Sequence, residues 1–178
     1  MIPSGRASRN VCGTVNRNNH PEMLSRTWRS GRRGLVVATG AYLIHAAVAT
    51  WVAMLNDIPG RPFGVETGLP IAWDFALGFG TGLSAPLAML IALAVLAASV
   101  ARNQSRRSIA AIGFLGWCFL LGMVVEPIFW DVIRGEHEAL VTGVVVANLA
   151  IPIVIVGLTI RIARGAGARA YRVPAEVP

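Results

Sequence analysis

The sequence predicts an all-α integral membrane protein, folded as a four-helix antiparallel transmembrane bundle. Three observations predict it. First, the composition is too apolar for water: 54% of the 178 residues are hydrophobic, only 14% are charged, and the mean hydropathy is +0.59. Soluble domains carry about 25% charged residues, and so much apolar side chain would leave large exposed patches on a soluble fold of this size. Second, four runs of 21 residues or more hold at most one charge each: 35–55, 75–101, 109–129 and 140–160. At about 1.5 Å rise per residue, each can cross a hydrocarbon core of roughly 30 Å. Third, the arginines fall almost wholly on one side of these runs.

Residues 1–34 precede the first run as a basic arm, expected to be disordered and cytoplasmic. They carry Arg6, Arg9, Arg17, Arg26, Arg29, Arg32 and Arg33. Translation from Met1 or from Met23 leaves the topology unchanged, because Arg26–Arg33 still flank the span. The first span, 35–55, contains His45 near its middle. An imidazole inside a membrane is a functional candidate by default, with a helix–helix hydrogen bond as the simpler use. Small residues share its helical face, so a neighbour can approach closely. The chain offers no second mid-span His, which disfavours haem.

The first loop, Asn56–Trp73, holds three prolines and three glycines. Such a loop is stiff and reads as a fixed cap decorated by Asp57, Arg61 and Glu66. Asp74 opens the second span, either as a helix cap or facing an outer vestibule. That span begins GFGTG, and Gly78/Gly82 and Gly80/Ser84 read as small-residue packing pairs within one continuous helix, kinked at Pro86. The short second loop returns to the basic side with Arg102, Arg106 and Arg107.

The third span ends VVEPIFWDVIRGEHE. Pro127 lacks an N–H and clashes with the preceding turn, so the helix must break there. A restarted helix over Pro127–Arg134 follows, with Glu126 placed to cap it and Gly135 just past its end. Asp131 can pair with Arg134 three residues on, and Trp130 can stack on Arg134. Glu126 is the most unusual residue. An acid this close to hydrocarbon is costly unless it faces protein or a wet cavity, and burial suits it to acid–base or cation-binding work. Helix capping or a salt bridge to Arg61 or Arg134 is its structural alternative. Glu136, His137 and Glu138 are adjacent on a loop and read as surface rather than metal ligands. The fourth span, 140–160, carries Asn148, expected to bond His45, and Pro152, expected to kink the helix. A basic tail over 163–178 closes the chain, so the membrane domain spans 35–162.

The counts then orient the bundle. Of 16 Arg, 14 lie on the side of the two termini, and seven of nine acids lie on the other side. The positive-inside rule places both termini in the cytoplasm, in the inner (plasma) membrane of a bacterium. The absence of Lys agrees with GC-rich coding. The net charge of +7 is therefore a topological signal, not a nucleic-acid footprint. The two cysteines, Cys12 and Cys118, form no motif.

Three functions are compatible with these residues. One is a transport or complex accessory component with an acidic, outward-facing polar site, in which His45, Asn148, Trp130 and Arg134 bind. The second is a membrane enzyme of the isomerase or cyclase type, with Glu126, Asp131 and Asp74 as acid and base. The third is a structural protein whose polar residues only pack. The expected partners are the lipid bilayer, a lipophilic small molecule, and other membrane proteins or a second copy. No nucleic acid, cofactor or metal is expected.

Overall fold

The computed structural model describes residues 20–170, except 66, 67, 78, 79 and 104. Glu66, Gly78, Cys12 and the outer parts of the basic arm and tail lie outside the described residues. Six α-helices follow in order: α1 (His20–Leu55), α2 (Ile71–Leu77), α3 (Leu87–Asn103), α4 (Arg106–Val125), α5 (Pro127–Arg134) and α6 (Ala139–Ala170). There is no β-strand among the described residues. Three stretches are long and apolar enough to cross a membrane: Ser30–Leu55, Arg106–Val125 and Ala139–Gly165. α3 is also apolar but has only 17 residues.

α1 packs on α3 and α6, and α4 packs on the same two helices. The register is antiparallel. Gly31 faces Ile162 and Gly34 faces Leu158 across α1 and α6, and Ser99 and Ser108 share a 3.0 Å hydrogen bond across α3 and α4. Ser105 caps α4, its hydroxyl accepting the Ser108 N–H at 3.3 Å. The basic residues Arg102, Arg106 and Arg161 therefore gather at one end, opposite the loop end that holds Asp57, Glu126 and Asp131.

The second span departs from expectation. It is not one helix over 75–101. α2 stops at Leu77, residues 80–86 are non-helical, and α3 starts after Pro86. Pro86 lacks the N–H a continuing helix needs, and it pushes Ala85 toward extended backbone. Gly80 turns the chain at φ +82°, and a Cβ there would collide with the Ser84 carbonyl oxygen. Thr81 and Ser84 then close a tight turn with mutual backbone bonds of 2.9 and 3.1 Å. Gly80 and Gly82 thus serve an unwound segment instead of a helix–helix seam. Gly82 lies under the first loop, where an added Cβ would stand 2.9 Å from the Pro59 carbonyl oxygen.

The third span breaks where Pro127 requires. Glu126 is extended (φ −78°, ψ 131°), α5 covers Pro127–Arg134, and Gly135 ends it in the left-handed region at φ +80°. The helix before the break is shorter than 109–129, ending at Val125. α6 continues through Pro152 as one helix.

The core has two parts. Leu35, Tyr42, Leu93, Ile112, Phe119 and Ile155 belong to one. Ala49, Ala53, Leu83, Met123, Val141 and Val145 belong to the other, nearer the loops. The close-packing glycines lie on α4. A Cβ on Gly113 would stand 2.8 Å from Thr159 Oγ1, and one on Gly116 2.9 Å from Val156 Cγ2. Gly116→Leu should therefore separate α4 from α6 and cost about 1–3 kcal/mol. Gly143→Leu, where nothing stands within 4 Å, should shift stability by less than about 0.5 kcal/mol. SDS titration of the protein in dodecylmaltoside reads both, and equal losses would rule out a tight α4–α6 seam.

Candidate functional site

Unwound backbone inside a membrane needs partners for its peptide groups. Here α6, α2 and the first loop each supply one, and α1 is tied on through a side chain. Asn148 of α6 donates its side-chain N–H to the Leu83 carbonyl at 2.5 Å. Ser84 donates its hydroxyl to the Ala46 carbonyl of α1 at 3.3 Å. The Gly80 N–H reaches the Asp74 carbonyl of α2 at 3.1 Å, and the Gly82 N–H reaches the Ile58 carbonyl of the first loop at 3.4 Å. Thr81 Oγ1 accepts the Leu83 N–H at 3.3 Å. The segment is thus tied to α1, α2, α6 and the first loop, and Leu83 anchors it in the apolar core.

The break in the second span leaves space beside it. A cavity of about 510 Å³ opens between the unwound segment, α1, α3, α4 and α6. Its apolar wall includes Tyr42, Met89, Phe119 and Met123. Tyr42 and Phe119 are stacked, with ring centroids 4.7 Å apart. Cys118 and Gly122 of α4 also face it, and Phe63 and Val65 of the first loop form part of its rim. Phe63 holds a left-handed φ of +57° and is 81% exposed. The volume lies in the range of small-molecule sites, roughly 300–1,000 Å³.

Glu126 closes one end of this cavity. It is only 8% exposed. It also borders a second, more polar pocket of about 190 Å³, shared with Asp57, Arg61, Asp131 and His137. The carboxylate is thus the common wall of an apolar cavity and a polar one. Glu126 makes no side-chain cap to α5, and it forms no salt bridge with Arg134. Its Oε2 instead accepts the backbone N–H of Arg61 at 3.0 Å. Glu126 stands one residue beyond the span Arg106–Val125. Burial pushes its carboxyl above the usual carboxylate range, and the Arg61 N–H pulls it back in part.

The other candidates are dispersed. Asp131 pairs with Arg134 at 3.1 Å on the exposed face of α5, as their spacing requires. Trp130 donates its ring N–H to the Val124 carbonyl at 3.0 Å and meets Phe129 edge-on, so it braces the α4–α5 break. Asp74 is buried within α2 and borders neither cavity. It is not the cap of a long second helix. The expected His45–Asn148 bond does not form. Asn148 is committed to Leu83, and His45 Nε2 is buried without a hydrogen-bond partner. Among the described residues, no three His, Cys, Asp or Glu side chains converge as a metal site. The cavity itself escaped the sequence reading. Its signal was GFGTGLSAP, three glycines and a proline in nine residues, which is dense enough to break a helix.

Two outcomes test this site. Asn148→Leu leaves the Leu83 carbonyl unpaired and should cost about 0.5–1.7 kcal/mol. His45→Leu removes an unsatisfied polar atom and should be neutral or stabilising. The double variant should be additive within about 0.5 kcal/mol, and a larger coupling would mean that the two side chains interact after all. For Glu126 the sign follows from its raised pKa. Folding favours the protonated acid, so its contribution is fully present below the ordinary Glu range and is lost as pH rises through the raised value. SDS-titration midpoints taken upward from about pH 4 should fall more in the wild type than in Glu126→Gln. Every other side chain is the same in both proteins, so the difference isolates Glu126. Parallel profiles would count against the burial of this carboxyl.

No protein-family model, curated protein or solved structure matches this chain.

Proposed function

We propose that this is a small multi-pass membrane protein of the transport class, a carrier or an accessory of one, that admits a lipophilic small molecule into the cavity beside the unwound second span. The observation that carries the reading is the cavity's construction. An interrupted helix, tied by hydrogen bonds to α1, α6 and the first loop, borders a 510 Å³ apolar space that also meets a buried carboxylate. Irregular backbone at membrane depth is tolerated where it lines a cavity, and interrupted helices mark binding sites in transporters. In this reading the chain crosses the membrane four times, with α3 as the short fourth crossing. Both termini are cytoplasmic, following the 14 arginines on their side, and the polar pocket under Glu126 faces outward from a bacterial inner membrane.

An isomerase or cyclase is the second reading. It keeps one supporting observation, that Glu126 and Asp131 border the same polar pocket. It loses another, because Asp74 borders neither cavity.

One experiment separates the two. The protein is extracted from its membrane in styrene–maleic acid discs, and its bound small molecules are identified by mass spectrometry. The transport reading expects a lipophilic molecule enriched over bulk lipid, and the same molecule on wild type and Glu126→Gln. Gly122→Phe should lower its recovery about tenfold, because Gly122 faces the cavity and has nothing within 4 Å of an added Cβ. Equal recovery from Gly122→Phe overturns the cavity reading. A chemically altered product on wild type that is lost in Glu126→Gln favours the enzyme.

A further inference from the structure

We infer that the cavity takes an amphiphilic organic cation: an ammonium-type head on an apolar body, with Glu126 as its counter-ion. The inference rests on reading the cavity as a ligand site and adds the chemistry of the ligand.

Polarity of the lining carries it. Among the described residues no Arg or His side chain borders the cavity, and Glu126 is the one carboxylate that does. The remaining polar side chains, among them Tyr42, Thr81, Ser84 and Asn148, are neutral. Asn148 commits one N–H to Leu83 and keeps the other N–H and its acceptor, Oδ1. Ser84 donates to the Ala46 carbonyl. Thr81 Oγ1 is held by the Leu83 N–H. The one charge a ligand meets among the described lining residues is therefore the Glu126 carboxylate, and the group that matches it is a cation.

The helix ends point the same way. α4 terminates against the cavity at Met123, Val125 and Glu126, and a helix C-terminus carries partial negative charge. The positive end of α3 lies nearby, but its first residues, Leu87 and Ala88, do not border the space, while Pro86, which does, has no N–H. The apolar wall suits a cation as well. Tyr42 and Phe119 stack on each other in its wall, Phe63 stands at the rim, and aromatic faces attract organic cations more strongly once desolvated. An anionic amphiphile would face a buried carboxylate with no compensating positive side chain, which is prohibitive. A neutral lipid would leave the carboxylate unmatched.

Cys118 supplies the readout, since its thiol borders the cavity and Cys12→Ser removes the other thiol. The Cys12→Ser protein in phosphatidylcholine nanodiscs is alkylated with N-ethylmaleimide in the presence of three ligands of one shape. These are 4-phenylbutyltrimethylammonium, 4-phenylbutanol and 4-phenylbutanoate. The expected order of protection is cation, then alcohol, then anion, with the cation about tenfold more potent than the alcohol. In Glu126→Gln the cation should fall to the level of the alcohol. If the alcohol or the anion protects as well as the cation in wild type, the charge assignment is wrong while the cavity stands. A cation preference that survives in Glu126→Gln removes Glu126 as the counter-ion. If Cys118 does not react, or no ligand protects it, the cavity reading fails too. The wild-type order decides the charge class even if Glu126→Gln does not fold.

Discussion

The peptide groups of residues 80–86 lie outside any helix among apolar neighbours, and much of the architecture around them serves to pair them. A lipid-exposed stretch of such backbone does not occur, because each unsatisfied group costs several kcal/mol. Asn148 of α6 pairs the Leu83 carbonyl, the Asp74 carbonyl of α2 takes the Gly80 N–H and the Ile58 carbonyl of the first loop takes the Gly82 N–H, while the Ser84 hydroxyl ties the segment to Ala46 of α1. Each bond fixes a different neighbour relative to the same seven residues. The first loop is stiff because it lies over Gly82 and is held to it, with no room for a side chain between them. Asn148 then has a structural use before any ligand arrives.

The cavity is the geometric residue of this solution. A continuous helix over the second span would fill the space beside Phe119 and Met123 with side chains on every turn. An unwound segment pulls its backbone toward Asn148 and Ala46, and α3 begins only after Pro86. What remains is an opening lined in part by the side chains whose bonds hold the segment. Asn148 is oriented by Leu83, which leaves one N–H and the amide oxygen turned to other partners.

Much of the fold was legible because its causes are local. Length and apolarity identify the long spans without knowledge of their partners. Pro127 breaks the third helix by its own covalent structure, so the α4–α5 boundary and the Asp131–Arg134 pair could be placed from spacing alone. The second span was misread because its apolar composition satisfies the same length criterion, while Gly80 and Pro86 act through conformation and not hydropathy. The pairing of Asn148 was misread for a different reason. His45 offered an evident partner in the spans, whereas the Leu83 carbonyl becomes a partner only once the helix around it is absent. A side chain can be assigned from sequence only when the backbone groups competing for it are known.

Glu126 shows how the two breaks combine. The helix interruption at Pro127 puts an extended residue at the end of α4, and the first loop, held over Gly82, brings the Arg61 main chain to it. The carboxylate is thereby held by a neutral N–H. A guanidinium in that place would lock the acid in its charged form and cancel its field. A single backbone donor fixes the position while leaving most of the charge uncompensated. The charged pair nearby, Asp131 with Arg134, is complete in itself and exposed, so it draws nothing from Glu126. A carboxyl that is buried, positioned and not neutralised, with an apolar cavity on one side and a polar pocket on the other, has one remaining way to lower its energy. Uptake of a proton, or a cation placed beside it, is that way.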